Sequence, residues 1–143
     1  MKDGFIRVAA ATPDIKVADP VFNAEKIWEM IEEGKEKGAK VMVFPELALT
    51  GYTCGDLFLQ DVLVEKAKEE LKKLIKKTEG MDMLAFVGLP WEKNGKLYNV
   101  AAAIWKKPAM PSMRQCVKTL PSTVLLGSRR TDNSKYFCAQ SKK

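Results

Sequence analysis

An α/β fold with strands and helices in the order β-α-β-α-β-β is predicted for residues 1–105, and three observations predict it. Short apolar runs, two of them closed by proline, alternate with longer segments whose apolar residues recur at helical spacing. The turn dipeptide Asn94-Gly95 separates the last two strand-like runs and makes them an antiparallel hairpin. Strands interleaved with helices in this way form a sheet with helices on one or both faces.

The elements follow in order. Residues 5–11, Phe5-Ile6-Arg7-Val8-Ala9-Ala10-Ala11, are apolar and partly β-branched and run into Thr12-Pro13, which predicts a buried strand. Asn23 is a candidate N-cap for a helix over residues 24–37. Ala24, Ile27, Trp28 and Ile31 form its apolar stripe, and Gly38 is its C-terminal glycine. Val41-Met42-Val43-Phe44 is a second buried strand, stopped by Pro45. Residues 46–56 read as a loop punctuated by Gly51 and Gly55. A second helix over 62–77 carries Leu63, Ala67, Leu71, Leu74 and Ile75 on one face and alternating lysines and glutamates on the other, an ordinary solvated face. Residues 83–89 form a third strand and 96–104 a fourth. Trp28 and Trp91 are expected to pack in the core.

The texture changes after Trp105. Residues 1–105 hold 15 Lys and Arg against 17 Asp and Glu, a net −2. Residues 106–143 hold nine basic residues against the single acid Asp132, a net +8. The overall charge of +6 therefore belongs to the tail. The tail also has three prolines, no sustained periodicity, and one strand-capable run, Thr123-Val124-Leu125-Leu126. It is expected to be weakly structured and divides the chain into 1–105 and 106–143.

Composition narrows the chemistry. The hydrophobic share of 46% and the charged share of 29% are those of a globular protein. No apolar run is long enough to span a membrane, and no signal peptide opens the chain, so a cytoplasmic protein is expected. The three cysteines, Cys54, Cys116 and Cys138, are odd in number and lack C-x-x-C spacing, which argues against a disulfide framework or a zinc site. Histidine is absent, so catalytic triads and metal sites built on histidine are excluded. Catalysis is left to carboxylates, lysines and a thiolate. No phosphate-binding glycine loop is present, and no cofactor is expected.

The densest candidate region is Val41-Met42-Val43-Phe44-Pro45-Glu46. A buried strand there delivers an acid to the loop at its C-terminal end, where α/β sheets bind ligands. Partial desolvation at such a place suits a general base. The plainer reading is that Glu46 caps a loop or pairs with a lysine. In the following loop Tyr52 and Asp56 offer polar contacts to a small substrate, or Tyr52 is a half-buried turn residue. Cys54 has no local base and reads as a small buried hydrophobe.

Phe44-Pro45-Glu46-Leu47-Ala48-Leu49-Thr50-Gly51-Tyr52 resembles the F-P-E-x-x-L-x-G-Y signature of the carbon–nitrogen hydrolase (nitrilase) superfamily. The continuation Thr53-Cys54-Gly55-Asp56-Leu57-Phe58 is similar to the glutaminase portion of bacterial glutamine-dependent NAD synthetases. Asn23-Ala24-Glu25-Lys26-Ile27, Val87-Gly88-Leu89-Pro90 and Leu97-Tyr98-Asn99-Val100-Ala101-Ala102 match further landmarks in the same order.

The resemblance implies part of an α-β-β-α sandwich and a Glu-Lys-Cys triad that hydrolyses the side-chain amide of glutamine through a thioester. It implies Glu46 as general base, Tyr52 beside the glutamine pocket, and a synthetase domain outside these residues as the acceptor of ammonia. It also implies sandwiches that pair as homo-oligomers. No membrane partner is expected from the hydropathy, and no nucleic acid partner, because the basic excess lies wholly in the tail.

The tail departs from the family pattern. Cys116-Val117-Lys118-Thr119-Leu120-Pro121 is an echo of the family's P-K-T-[YF]-L-P-N-Y, with Val117 in place of proline and one residue missing after Thr119. By this echo Lys118 is the triad lysine, while the family's glutamine-contacting tyrosine falls on Val124. The nucleophile motif G-x-x-I-C-E-D has no match: no acids follow Cys138, and Cys116 precedes the lysine. A frameshift near the codon for Lys106 accounts together for the charge change, the lost periodicity and the early stop. The chain is then a truncated hydrolase domain, expected to be inactive alone. The alternative is a non-catalytic binding or interaction module whose native basic tail binds a partner.

Overall fold

The structure, a computed structural model, describes residues 5–105 and two short strands beyond them. The elements are β1 (Val8–Ala10), α1 (Pro20–Glu36), β2 (Val41–Val43), α2 (Asp61–Lys77), β3 (Leu84–Lys93) and β4 (Lys96–Ile104), with a 3-10 turn, Gly55–Leu59, leading into α2. The sheet order is β1-β2-β3-β4. β1, β2 and β3 are parallel, and β4 returns antiparallel to β3. The hairpin turn has both Asn94 (φ 55°) and Gly95 (φ 69°) in the left-handed region, as a two-residue turn of this type requires.

Both crossovers step the same way across the sheet. Right-handed connections then place both helices on one face, and α1 and α2 pack against each other there. Side chains alternate across a strand, so the strand register separates the two faces. Met42, Ala85, Val87, Leu89, Val100 and Ile104 point to the helices and are buried with Ile27, Ile31, Leu71 and Leu74. Each of these side chains larger than alanine contributes about 1.5–3 kcal/mol of burial. Trp28 and Trp91 are partly buried at the edge of this core, each beneath a lysine: Lys77 lies 5.3 Å from the Trp28 ring and Lys68 5.2 Å from that of Trp91.

The opposite face carries Val8, Ala10, Val41, Val43, Leu84, Phe86, Ala101 and Ala103. It is apolar yet open: Val8 is 65% and Val43 47% exposed. The first strand is therefore not buried on both faces as its composition predicts, and it spans Val8–Ala10 only. A continuous apolar sheet face in water is an association surface. The purified chain is expected to self-associate through it, and sedimentation velocity over a concentration series checks this. Replacing Val8 and Val43 with lysine should weaken association at least tenfold, given about 1.5 kcal/mol for one buried valine. A chain that stays monomeric at every concentration would contradict this.

The start of α1 differs from the sequence expectation. Asp19, not Asn23, is the N-cap: its Oδ1 accepts from the Phe22 N–H at 3.1 Å, and Pro20 follows at the first helical position. Asn23 lies inside the first turn, fully buried. The C-terminal end is as expected, with Gly38 at φ +74° donating its N–H to the Lys35 carbonyl at 2.9 Å.

Beyond residue 105, β5 (Gln115–Lys118) and β6 (Tyr136–Ala139) pair antiparallel as a separate two-stranded sheet. The strand-capable run 123–126 lies outside the described residues. Among the described residues, no helix is long and apolar enough to cross a membrane, and no cluster of histidine, cysteine or acidic side chains is arranged to hold a metal ion.

Candidate active site

β1 and β2 end side by side at Ala10 and Val43, level with Phe86, while β3 runs on past them to Lys93, and the loop after β2 crosses that step. Phe44 prolongs β2, its N–H donating to the Phe86 carbonyl at 2.9 Å. Pro45 ends the strand, and a compact turn follows. The Thr50 and Gly51 amides both donate to the Leu47 carbonyl, at 2.9 and 2.7 Å. Leu47 has a left-handed backbone, φ 52°, and its side chain is buried. The Thr50 side chain is buried, with Oγ1 3.4 Å from the Leu47 carbonyl and 3.2 Å from that of Gly51.

This turn rests on Gly88 of β3. A Cβ at position 88 would lie 2.5 Å from the Leu47 nitrogen, 2.6 Å from the Pro45 oxygen and 3.0 Å from the Glu46 carbonyl carbon. The Leu49 N–H donates to the Gly88 carbonyl at 3.1 Å. Position 88 belongs to the open face of the sheet, so the turn carrying Glu46 folds over the edge of that face.

Glu46 itself is exposed. The burial expected from its place after a buried strand is not observed: the turn carries the Glu46 side chain out to solvent. Its carboxylate is instead held by Asn99 of β4, whose Nδ2–H donates to Glu46 Oε1. Asn99 shares the open face with Gly88 and lies two register steps further along the hairpin (Gly88 opposite Ala101, Pro90 opposite Asn99).

A second loop is tied to the first. Asn23 Nδ2 donates to the carbonyls of Lys16 (2.8 Å) and Leu49 (3.1 Å), and its Oδ1 accepts from the Lys16 N–H at 2.7 Å. The Ala18 N–H donates to the Thr50 carbonyl at 2.8 Å. One buried side chain thus joins the loop after β1 to the turn after β2. Asn23→Ala would strand these backbone groups, and about 3 kcal/mol of stability is expected to go with them. Urea denaturation measures it; a loss below about 1 kcal/mol would mean that the loops dock without it.

The other sequence candidates separate. Tyr52, in the same loop as Glu46, is 64% exposed rather than half-buried. Cys54 is 5% exposed and its thiol donates to the Thr50 carbonyl at 3.0 Å, so it is a structural residue. Burial pushes this thiol above its usual range, and a hydrogen bond with the Ala18 backbone offsets that in part. Since the thiolate is the reactive form, iodoacetamide at neutral pH should label Cys54 only in denaturant, as read from peptide masses. Fast labelling of the folded chain would contradict this. Lys118 closes β5 opposite Tyr136, and Cys116 is the register partner of Cys138; the side chains of all four lie outside the described residues.

Gly88 and Asn99 both fall within landmark runs of the resemblance, yet neither stands out in the sequence as a site residue. Nothing local marks either. Their parts follow from contacts with a turn some 40 to 50 residues earlier in the chain.

An acid at the C-terminal end of β2, held on a glycine of β3 and by an amide of β4, agrees with the sequence signature around it. The chain belongs to the carbon–nitrogen hydrolase family, whose model matches residues 7–117, and the four-stranded sheet with its two helices is part of the nitrilase-type fold.

Within that family the chain is similar to glutamine-dependent NAD(+) synthetases. That of Mycobacterium tuberculosis is 39% identical over 103 residues, covering 71% of this chain and 15% of the relative. That of Xylella fastidiosa is 33% identical over 127 residues, covering 88% of this chain and 23% of the relative. The crystal structure of a glutamine-dependent NAD(+) synthetase from Cytophaga hutchinsonii superposes with a TM-score of 0.65 at 32% identity, over 69% of this chain and 17% of that one. The chain spans less than a quarter of the length of each of these proteins.

Proposed function

We propose that this chain carries the general-base part of a glutamine amide hydrolase that supplies ammonia for NAD synthesis in the cytoplasm. The observation that carries the reading is the placement of Glu46: it projects from the turn at the C-terminal edge of the parallel strands, seated on Gly88 and hydrogen-bonded by Asn99. Similarity to glutamine-dependent NAD(+) synthetases supports glutamine as the substrate and a synthetase domain as the acceptor of the ammonia.

In this chemistry the Glu46 carboxylate takes the proton of a cysteine thiol, and the thiolate adds to the amide carbon of glutamine. The tetrahedral oxyanion collapses with cleavage of the C–N bond. Glu46 returns the proton to the leaving nitrogen, and ammonia departs. Glu46 then removes a proton from water, which attacks the thioester to release glutamate and restore the thiol. Lys118 is the proposed electrostatic partner of the oxyanion. Lys118 is kept on the echo of the family's lysine motif at Val117-Lys118-Thr119. Cys54 is not the nucleophile, since its thiol is buried and engaged. Tyr52, exposed near the base, is proposed to line the glutamine pocket. The mechanism asks for no metal or cofactor in this portion, and the basic tail is not assigned a nucleic acid partner. Residues 1–105 supply the base and Lys118 lies beyond them, while no cysteine of the chain stands in the family's nucleophile motif, so the isolated chain is expected to hydrolyse glutamine slowly rather than at a full enzyme's rate.

The test is release of ammonia and glutamate from glutamine labelled at the amide nitrogen, with asparagine and simple aliphatic amides as competitors. Release from glutamine in preference to the others supports the reading. Efficient hydrolysis of a simple amide, with glutamine untouched, overturns it.

A further inference from the structure

We propose that Asn99 is a positioning residue that fixes the orientation of the Glu46 carboxylate, a role that rests on the reading of Glu46 as the general base. Glu46 stands on a turn, exposed to water, and a glutamate side chain there has several rotamers of similar energy. Asn99 stands in the longest strand pairing of the sheet. Its strand is locked to β3 by nine register pairs running from Lys93 opposite Lys96 to Ala85 opposite Ile104, closed by the tight turn at Asn94 and Gly95.

An ionised carboxylate only accepts hydrogen bonds, so the amide must face it with Nδ2. That bond engages Oε1 and leaves Oε2 free to take a proton. Gly88 fixes the backbone of the turn and Asn99 fixes the tip of the side chain, both from the same hairpin and the same face of the sheet. A base held in this way is presented at a constant place and angle, which is the geometric requirement for proton transfer. An ordinary surface hydrogen bond would leave rate and orientation unchanged when removed.

The experiment compares wild type, Asn99→Ala, Asn99→Asp and Glu46→Gln in the full chain, by two readouts. In glutamine hydrolysis, Asn99→Ala should lower kcat about 10²-fold while KM stays within about twofold. Asn99→Asp, nearly identical in shape, should do no better, because it sets a second carboxylate against the first. An unchanged kcat in both Asn99 variants, with Glu46→Gln inactive, overturns the role of Asn99 and leaves the base assignment standing. Hydrolysis that survives Glu46→Gln overturns the base assignment instead.

The second readout needs no turnover. In a 15N correlation spectrum the two side-chain amide protons of Asn99 should shift and exchange faster with water in Glu46→Ala. If they do not move, Asn99 does not hold the carboxylate, whatever the activity of the chain.

Discussion

Gly88→Ala is expected to destabilise the chain by about 2–3 kcal/mol, the upper range for overpacking a filled site, and to displace Glu46 as it does so. The reason is what the added methyl group would meet. Its three nearest atoms are backbone atoms of residues 45, 46 and 47, two of them within 2.6 Å. A clashing side chain can rotate away, but a peptide plane cannot. The turn must therefore lift from β3, and the Leu49 N–H to Gly88 hydrogen bond is stretched or lost with it.

Gly34 in α1 is the control. A Cβ there meets Met42 Sδ at 3.0 Å and its terminal methyl carbon at 3.3 Å, the far end of a flexible side chain. Alanine also favours helix over glycine by about 1 kcal/mol, so Gly34→Ala should be neutral or mildly stabilising. Urea midpoints for the two variants should move in opposite directions or by very different amounts. Equal shifts would show that the turn does not depend on the bare backbone of Gly88.

Glu46→Gln is expected to lower glutamine hydrolysis by about 10²–10⁴-fold, the usual worth of a positioned general base, and to leave stability within about 0.5 kcal/mol. Glutamine has the same shape, and its Oε1 still accepts from Asn99. It cannot take a proton, so only the chemical step is removed. The side chain is exposed and lies outside the core, hence the small cost in stability. Initial rates of ammonia release and a thermal melt on the same samples separate the two effects. A variant that unfolds readily would instead make Glu46 a structural acid, and one with an unaltered rate would remove it from catalysis.

Much of the fold could be read from the order of residues, because period and punctuation are local properties. Leu63, Ala67, Leu71 and Leu74 mark α2 at its observed place, and Asn94-Gly95 marks the turn of the hairpin. Glu46 was legible as a site candidate because strand, proline and acid are contiguous.

What escaped the sequence depends on contacts between distant segments. Asn23 has the residue type of a helix cap, but burial and three hydrogen bonds to two loops decide its role. Gly88 looks like any glycine in a strand until the turn at 45–47 is laid against it. The exposure of Val8 and Glu46 follows from which face the helices choose, and periodicity in a strand does not say which of its two faces is covered.

Leu47 is a point of local frustration. Its left-handed backbone costs an L-residue about 1–2 kcal/mol, and local preference alone would place glycine or asparagine there. The buried side chain returns an amount of the same order, about 1.5–3 kcal/mol, so the two tendencies nearly balance beside Glu46. A sequence optimised only for local consistency would put glycine at 47, relaxing the turn and losing the anchor that pins it to the core. The steepness of the energy landscape around Glu46 is thus set by a conflict between chain and packing, and it is tunable through one buried neighbour in the same turn.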